Sequence, residues 1–314
     1  MKKNKILSIS LMVAVAMLAS SASYAQTKIK VGLLPISESL GVVVADKKGF
    51  FKEEGLDVEI SKFDSGAAAI PVLQSGRLDI SFTNTVSTLQ AIEQGVDLII
   101  LTPAAVVRKA PPDSTTGVLA LKSTLKSIKD LEGKRLAVNV VNSSAWLHAV
   151  ALLDRHGVDR TKVRFVEIPF PQMNDTLLND RVDAIAQVDP FRSVLVATGK
   201  AEILGWSYVE SAPGTDVSQY VALRPWVEKN RDIAARFVRA VQKGSAFLNA
   251  NEAEARDINQ AYTGLNPALK DKVVLPELGT SVNVEGVQKT MQMMQKYDLL
   301  KSPVAVADRV LKNP

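Results

Sequence analysis

The chain has only two histidines in its 314 residues, His148 and His156, and no cysteine. Eight residues make about 2.2 turns of helix, so two rings at that spacing cannot reach one metal ion from one straight helix. Without cysteine there is neither a thiolate metal site nor a disulfide framework. No Walker loop, His-Glu-x-x-His or Gly-x-Ser-x-Gly elbow occurs either. What the sequence does offer is short polar clusters. They are Pro35-Ile36-Ser37-Glu38, Asp64-Ser65-Gly66-Ala67 and Thr83-Asn84-Thr85, then Val141-Asn142-Ser143-Ser144 and Gln187-Val188-Asp189-Pro190.

Each cluster stands where an apolar run ends and a helical pattern begins. Ser, Thr, Asn and Asp at such points cap the free N–H groups of their own helix. The same N–H groups and the helix dipole also hold small polar or anionic molecules. These residue types suit recognition of a small solute by non-covalent contacts, and both uses remain open at each position. Trp146, just inside the helix that starts near Ser144, is placed either to stack on a flat solute or to fill core. Glu38 and Asp189 suit a cationic group, but acids are also favoured near helix starts by the dipole alone.

The elements that would position these clusters follow from the apolar periodicity. Runs such as Ile29–Leu34, Leu56–Ile60, Leu78–Phe82 and Leu98–Leu101 alternate with helical segments, the pattern of repeated βαβ units. A polar, proline-containing stretch from Arg108 to Thr116 interrupts it, after which strands are expected over Gly117–Leu121, Leu136–Val140 and Val163–Ile168. A shift of 104 residues sets Leu73-Gln74-Ser75-Gly76-Arg77-Leu78-Asp79-Ile80 beside Leu177-Leu178-Asn179-Asp180-Arg181-Val182-Asp183-Ala184. Two lobes of one α/β architecture are therefore expected, joined by two crossings near 108–117 and 211–220. The expected division is residues 26–115 with 221–314 in the first lobe and 116–220 in the second. Open parallel sheets bind ligands beyond the carboxyl ends of their strands, and all five polar clusters fall there. Beyond Pro225 the pattern is helical, with Phe237 and Trp226 expected as core around the outer lobe.

Compartment is read from the first residues. Lys2, Lys3 and Lys5 precede the apolar run Ile6–Leu18, too short to span a bilayer, and Ser23-x-Ala25 fits a signal-peptidase site, so residues 1–25 are expected to be a signal peptide. Removing them lowers the formal charge from +5 to +2, too slight a basicity for a nucleic-acid partner. A chain without cysteine cannot take a lipid anchor there, so a diffusing periplasmic protein is expected.

The chain is similar to the nitrate/sulfonate/taurine-type periplasmic binding proteins of ABC importers, which share their fold with thiamine-pyrimidine-precursor binding proteins. The resemblance is carried by Lys48-Gly49-Phe50-Phe51-Lys52-Glu53-Glu54-Gly55-Leu56-Asp57-Val58-Glu59, by Leu73–Asp79, by Leu131-Glu132-Gly133-Lys134-Arg135-Leu136-Ala137-Val138, and by Val182-Asp183-Ala184 leading to Asp189-Pro190-Phe191. It implies a type II periplasmic-binding-protein fold, each lobe a mixed, mostly parallel sheet flanked by helices, with a two-stranded hinge. It also implies a monomer without cofactor that closes on a small anion such as a sulfonate, nitrate or carboxylate and delivers it to permease subunits. A neutral heterocycle or pyrimidine, or an enzyme on the same fold, is the alternative. The ligand contacts expected are Ser37, Glu38, Ser65, Gly66, Thr83, Asn84, Thr85, Asn142, Ser143, Ser144, Trp146, Gln187 and Asp189. Where relatives often have a glycine-rich turn, this chain has Asn139-Val140-Val141-Asn142-Ser143-Ser144, a departure that bears on backbone capture of a sulfonate.

Overall fold

The computed structural model describes residues 26–312; the expected signal peptide lies outside them. Among the described residues no helix is long and apolar enough to cross a membrane. The chain first lays down β1 (Thr27–Leu33), β2 (Leu56–Lys62), β3 (Ile80–Asn84) and β4 (Leu98–Pro103). After a short strand β5 (Ala105–Val106) it builds β6 (Thr116–Leu121), β7 (Arg135–Val138), β8 (Arg164–Glu167), β9 (Ala184–Val188) and β10 (Ala201–Gly205), then returns as β11 (Ser218–Leu223). Strand β11 begins at Ser218, inside the stretch expected for the second lobe, and pairs antiparallel with β3 and β4 in the first sheet. The second strand of the other sheet ends at Val138 rather than Val140. Asn139 and Val140 are thereby released into the loop, where the Val140 carbonyl accepts from both the N–H and the hydroxyl of Ser143.

The two five-stranded sheets have matching orders, β2-β1-β3-β11-β4 and β8-β7-β9-β6-β10. In each, three parallel strands are followed by one strand that arrives from the other lobe and runs antiparallel. The 104-residue repeat is realised in detail: the helix Gly66–Gln74 corresponds to Phe170–Leu178, and β3 to β9. Strands buried on both faces read as near-continuous apolar runs, as in β4 and β9, every residue of which is buried.

The crossings lie side by side and bond as an antiparallel pair. Val217 N donates to Ala105 O at 3.0 Å, Val107 N to Thr215 O at 2.9 Å and Gly214 N to Val107 O at 3.1 Å. A further strand, β12 (Glu277–Leu278), pairs with β5 on its other side. The hinge is thus two crossing segments, one of them braced by the C-terminal region.

That region is helical as its periodicity requires. The helix Arg231–Ala250 packs on Leu40–Lys47, where a Cβ added to Gly244 would stand 2.3 Å from the carbonyl oxygen of Gly41. Phe237 stacks on Phe51 at 5.6 Å between ring centroids and meets Tyr220 edge-on at 5.8 Å, so it is core, and Trp226 packs half-buried against the same cluster. The helix Val284–Lys296 does more than cover the first lobe. Its Val287 and Met294 share one apolar cluster with Leu147 and Val150 of the second lobe, and Asp154 there accepts from Lys296 Nζ at 2.6 Å and Tyr297 Oη at 2.9 Å.

Candidate functional site

Between the lobes, at the carboxyl ends of the strands, lies a cavity of about 30 Å³. This is room for one or two water molecules. Its first-lobe wall is Leu34, Ile36, Glu38, Gly66, Phe82 and Asn84; its second-lobe wall is Asn139, Ser143, Ser144, Ala145, Phe170, Val188 and Tyr208, with Val217 of the returning crossing between them.

Asn84 is both a cap and a bridge. It ends β3 in extended conformation, and its Oδ1 accepts from Ser87 N at 2.9 Å, closing the first turn of the helix Thr85–Glu93. The same oxygen accepts from Ser144 Oγ of the opposite lobe at 3.0 Å. Its Nδ2 has no partner among the described residues, which leaves it as the atom this side chain can offer a solute. Besides the bonds from Lys296 and Tyr297 to Asp154, a further direct bond between the lobes runs from Ser37 N to Asp189 O at 3.1 Å.

Ser65 caps the neighbouring helix by accepting from Ala68 N at 3.2 Å. Gly66 follows because β3 passes directly beneath: a Cβ there would sit 2.7 Å from Thr83 Cα. Only glycine lets this helix start so close to the strand.

Glu38 is 6% exposed, on a short 3-10 turn after β1. Its Oε2 accepts from Ser218 Oγ at 2.8 Å, and that hydroxyl oxygen accepts in turn from Ala105 N at 3.2 Å, so the carboxylate is tied to both hinge segments. Burial, opposed by the Ser218 hydrogen bond and reinforced by the Asp113 carboxylate, pushes the Glu38 carboxyl up to about 7.

Other expected contacts are committed elsewhere. Asp189 is buried and its two oxygens serve Arg192 and the Ser193 N–H and hydroxyl. Arg192 also donates to Asp113 O at 2.7 Å and lies over the Trp206 ring, so this cation is bound into the frame. Gln187 spends its amide on Phe170 O and Asn174 Oδ1, both at 3.0 Å, and on Val188 N. Thr85 Oγ1 donates to Asp216 O at 2.8 Å, and Ser37 Oγ to Asn259 Oδ1 at 3.0 Å. Thr83 Oγ1 is buried without a partner against Gly66. Asn142 is exposed, in the left-handed region with φ 63°. Trp146 packs half-buried on Phe165, 5.6 Å between centroids, away from the cavity. Of the expected residues the structure therefore gathers Glu38, Gly66, Asn84, Ser143 and Ser144 around one space.

Nine of the fourteen lining residues are not among the expected contacts, Phe170, Asn139 and Tyr208 among them. Phe170 is the residue that the 104-residue repeat places opposite Gly66, so extending that alignment would have found it. Asn139 follows the end of β7 as Leu34 follows β1. Tyr208 lies on the short helix Ser207–Ser211 just before the second crossing, where no sequence signal marks it. Its ring stacks on His148 at 3.9 Å. His148 itself is held near 3, and so neutral, by burial alone, with its Nδ1 2.6 Å from Ser211 Oγ.

The architecture is that of known solute receptors. The structure superposes on the alkanesulfonate-binding protein of Xanthomonas axonopodis pv. citri bound to MOPS with a TM-score of 0.76 at 18% identity, covering 91% of this chain and 98% of that one. In sequence the chain is 25% identical over 301 residues to a putative thiamine biosynthesis protein of Haemophilus influenzae, covering 91% of this chain and 92% of that one. It is 27% identical over 209 residues to the taurine-binding periplasmic protein of Escherichia coli K12, covering 65% and 61%. A family model described as NMT1/THI5 like matches residues 36–255. That span holds both crossings and every cavity-lining residue but Leu34, and the chain accordingly belongs to the NMT1/THI5-like family.

Proposed function

We propose that the protein is a periplasmic solute receptor that closes its two lobes over a small molecule and presents it to the permease of an ABC importer. The observation that carries this reading is the direct bond from Ser144 to Asn84 across a cavity lined by both lobes. Two lobes on a two-segment hinge can part and meet as near-rigid bodies, and a solute that touches both walls only when they meet shifts the population toward closure by that difference in affinity. A cavity of about 30 Å³ is too small for an organic solute, so such a solute takes over the hydrogen-bonding groups that now bond each other across the cleft. Closure performs no chemistry; it hides the solute and creates the surface that a permease reads.

Relatives divide the candidate solutes into oxyanions, after the alkanesulfonate and taurine receptors, and pyrimidine-type rings, after the thiamine-related protein. Polar helix starts at Gly66, Thr85 and Ser144 suit the first class. Apolar rings at Phe82, Phe170 and Tyr208 suit the second. The test is small-angle scattering of the purified protein across both classes of solute, paired with calorimetry. The radius of gyration should fall when a solute saturates the protein. A solute that binds by calorimetry and leaves the radius unchanged contradicts capture by closure.

A further inference from the structure

Within the capture reading, we infer that Glu38 selects solutes that present an N–H or ammonium-type donor and excludes simple oxyanions. The solute class is thus amines, amidines or amino-substituted rings. The first reason is the composition of the cavity wall. Among its fourteen residues there is no Lys, Arg or His, and the only ionisable groups are Glu38 and Tyr208. Arg192, the cation nearest by sequence, is outside the wall and is held by Asp189, the Asp113 carbonyl and the Trp206 ring. An oxyanion would therefore have to be held by helix starts and hydroxyls alone while facing a carboxylate.

The second reason is the state of Glu38. It is more than nine-tenths buried and lines the cavity, yet among the described residues only Ser218 bonds it, through Oε2. That leaves Oε1 without a partner among the described residues at the cavity wall, where a donor supplied by the solute can meet it in a charge-assisted bond. Asn84 Nδ2, and the Ser144 hydroxyl once a solute takes it over from Asn84, can meet acceptors on the same solute. Phe82, Phe170 and Tyr208 cover its apolar faces.

A protonated Glu38 could instead donate to an oxyanion, and the two cases have opposite pH dependence. The groups facing Glu38 are Ser218 on β11, Asp113 in the first crossing, Tyr208 on the helix Ser207–Ser211, and Tyr220 on β11. Burial pushes both tyrosines up, so they stay neutral. A donor-bearing solute binds the carboxylate, so its affinity rises with pH until Glu38 has fully ionised, above about 7. An oxyanion accepting from the acid form would lose affinity over the same range.

The experiment is calorimetric titration with benzamidine, 4-aminopyrimidine, ethylammonium, ethanesulfonate and nitrate at about pH 6 and about pH 8. It is run on the wild type and on Glu38→Gln, with urea unfolding of both. At least one donor-bearing probe should bind, more tightly at the higher pH, and lose about tenfold or more in Glu38→Gln, while ethanesulfonate and nitrate stay silent. Binding of either oxyanion to the wild type, silence of all three donor-bearing probes, or affinity indifferent to Glu38→Gln overturns the assignment. Should Glu38→Gln unfold, Ser218→Ala serves in its place. It frees Oε2, so donor-bearing probes should bind at least as well as to the wild type, and an oxyanion that gains instead overturns the inference. Scattering on the same samples separates the two claims: an oxyanion that compacts the protein defeats this selectivity and leaves capture standing, whereas binding without compaction defeats capture.

Discussion

The helix starts at Gly66 and Phe170 occupy equivalent places in the two lobes, yet they give the cleft opposite surfaces. In the first lobe Ser65 caps the helix with its side chain, and Gly66 brings backbone to the cavity. In the second lobe Pro169 holds the same position with no side-chain cap, and the Phe170 ring fills the corresponding space. Asn84 and Val188, also 104 residues apart and both on the cavity wall, repeat the contrast of amide and methyl groups. One frame was kept in both lobes while the chemistry of its edges diverged. A solute between them meets Gly66 backbone, the Glu38 carboxylate and the Asn84 amide on one side, and on the other the Phe170 ring and Val188 beside the polar groups of Asn139, Ser143, Ser144 and Tyr208.

The sharpest way to break this comparison is at Asp189, the second-lobe counterpart of Thr85. Its partner Arg192 is 1% exposed, and an unpaired buried guanidinium is expensive. Asp189→Ala should therefore cost about 3–5 kcal/mol in urea unfolding, whereas Thr85→Ala, which removes a neutral hydroxyl, should cost about 1–2 kcal/mol. Equal losses at the two positions would mean that the lobes are held alike.

A second test uses pH. Burial raises Glu38 to about 7 and Asp216, at the hinge, to about 6. A carboxyl raised in the folded state stabilises most below its unfolded value, and that stability disappears as pH climbs through the folded value. Stability of the ligand-free protein should thus decline between about pH 4 and pH 7, by roughly 4–6 kcal/mol from these two groups. Glu38→Gln should flatten the part of the curve nearest neutrality, and a curve unchanged by that substitution would show that Glu38 is not buried as described.

The smallest effects sharpen the contrast between two polar residues. Asn84 caps a helix and bridges the lobes, but Ser144 bridges only, since the cap position before its helix is Ser143 and makes no side-chain cap bond. Asn84→Ala should lose about 1 kcal/mol of stability, and Ser144→Ala should lose about half as much or less. Both should weaken solute binding by roughly 0.5–3 kcal/mol. Stability losses without loss of affinity would reduce both residues to framework.

How much of this was legible in the sequence depends on distance along the chain. The repeat, the βαβ order and the crossings could be read because periodicity and turn chemistry are local. Five of the thirteen expected contacts line the cavity because capping residues at strand ends mark where a helix starts. What capping chemistry cannot tell is which starts face the cleft. Thr85 turns to Asp216 in the returning crossing, and Arg192, which holds Asp189, is itself anchored on the Asp113 carbonyl, bonds that depend on tertiary placement. Tyr208 and the hinge tie from Glu38 to Ser218 join segments about 170 or more residues apart, beyond any window of sequence pattern.

Closure of two rigid lobes over a solute is tested most directly by a distance. Ala68 and Gln172 are exposed, equivalent positions on the first turns of the matching helices, and the chain has no native cysteine to compete for label. Spin labels at Ala68→Cys and Gln172→Cys, read by pulsed electron resonance, should give a broad or double distance distribution in the free protein. Saturation with a solute that calorimetry shows to bind should collapse it onto the shorter distance. A distribution that does not change at saturation would contradict closure as the means of capture.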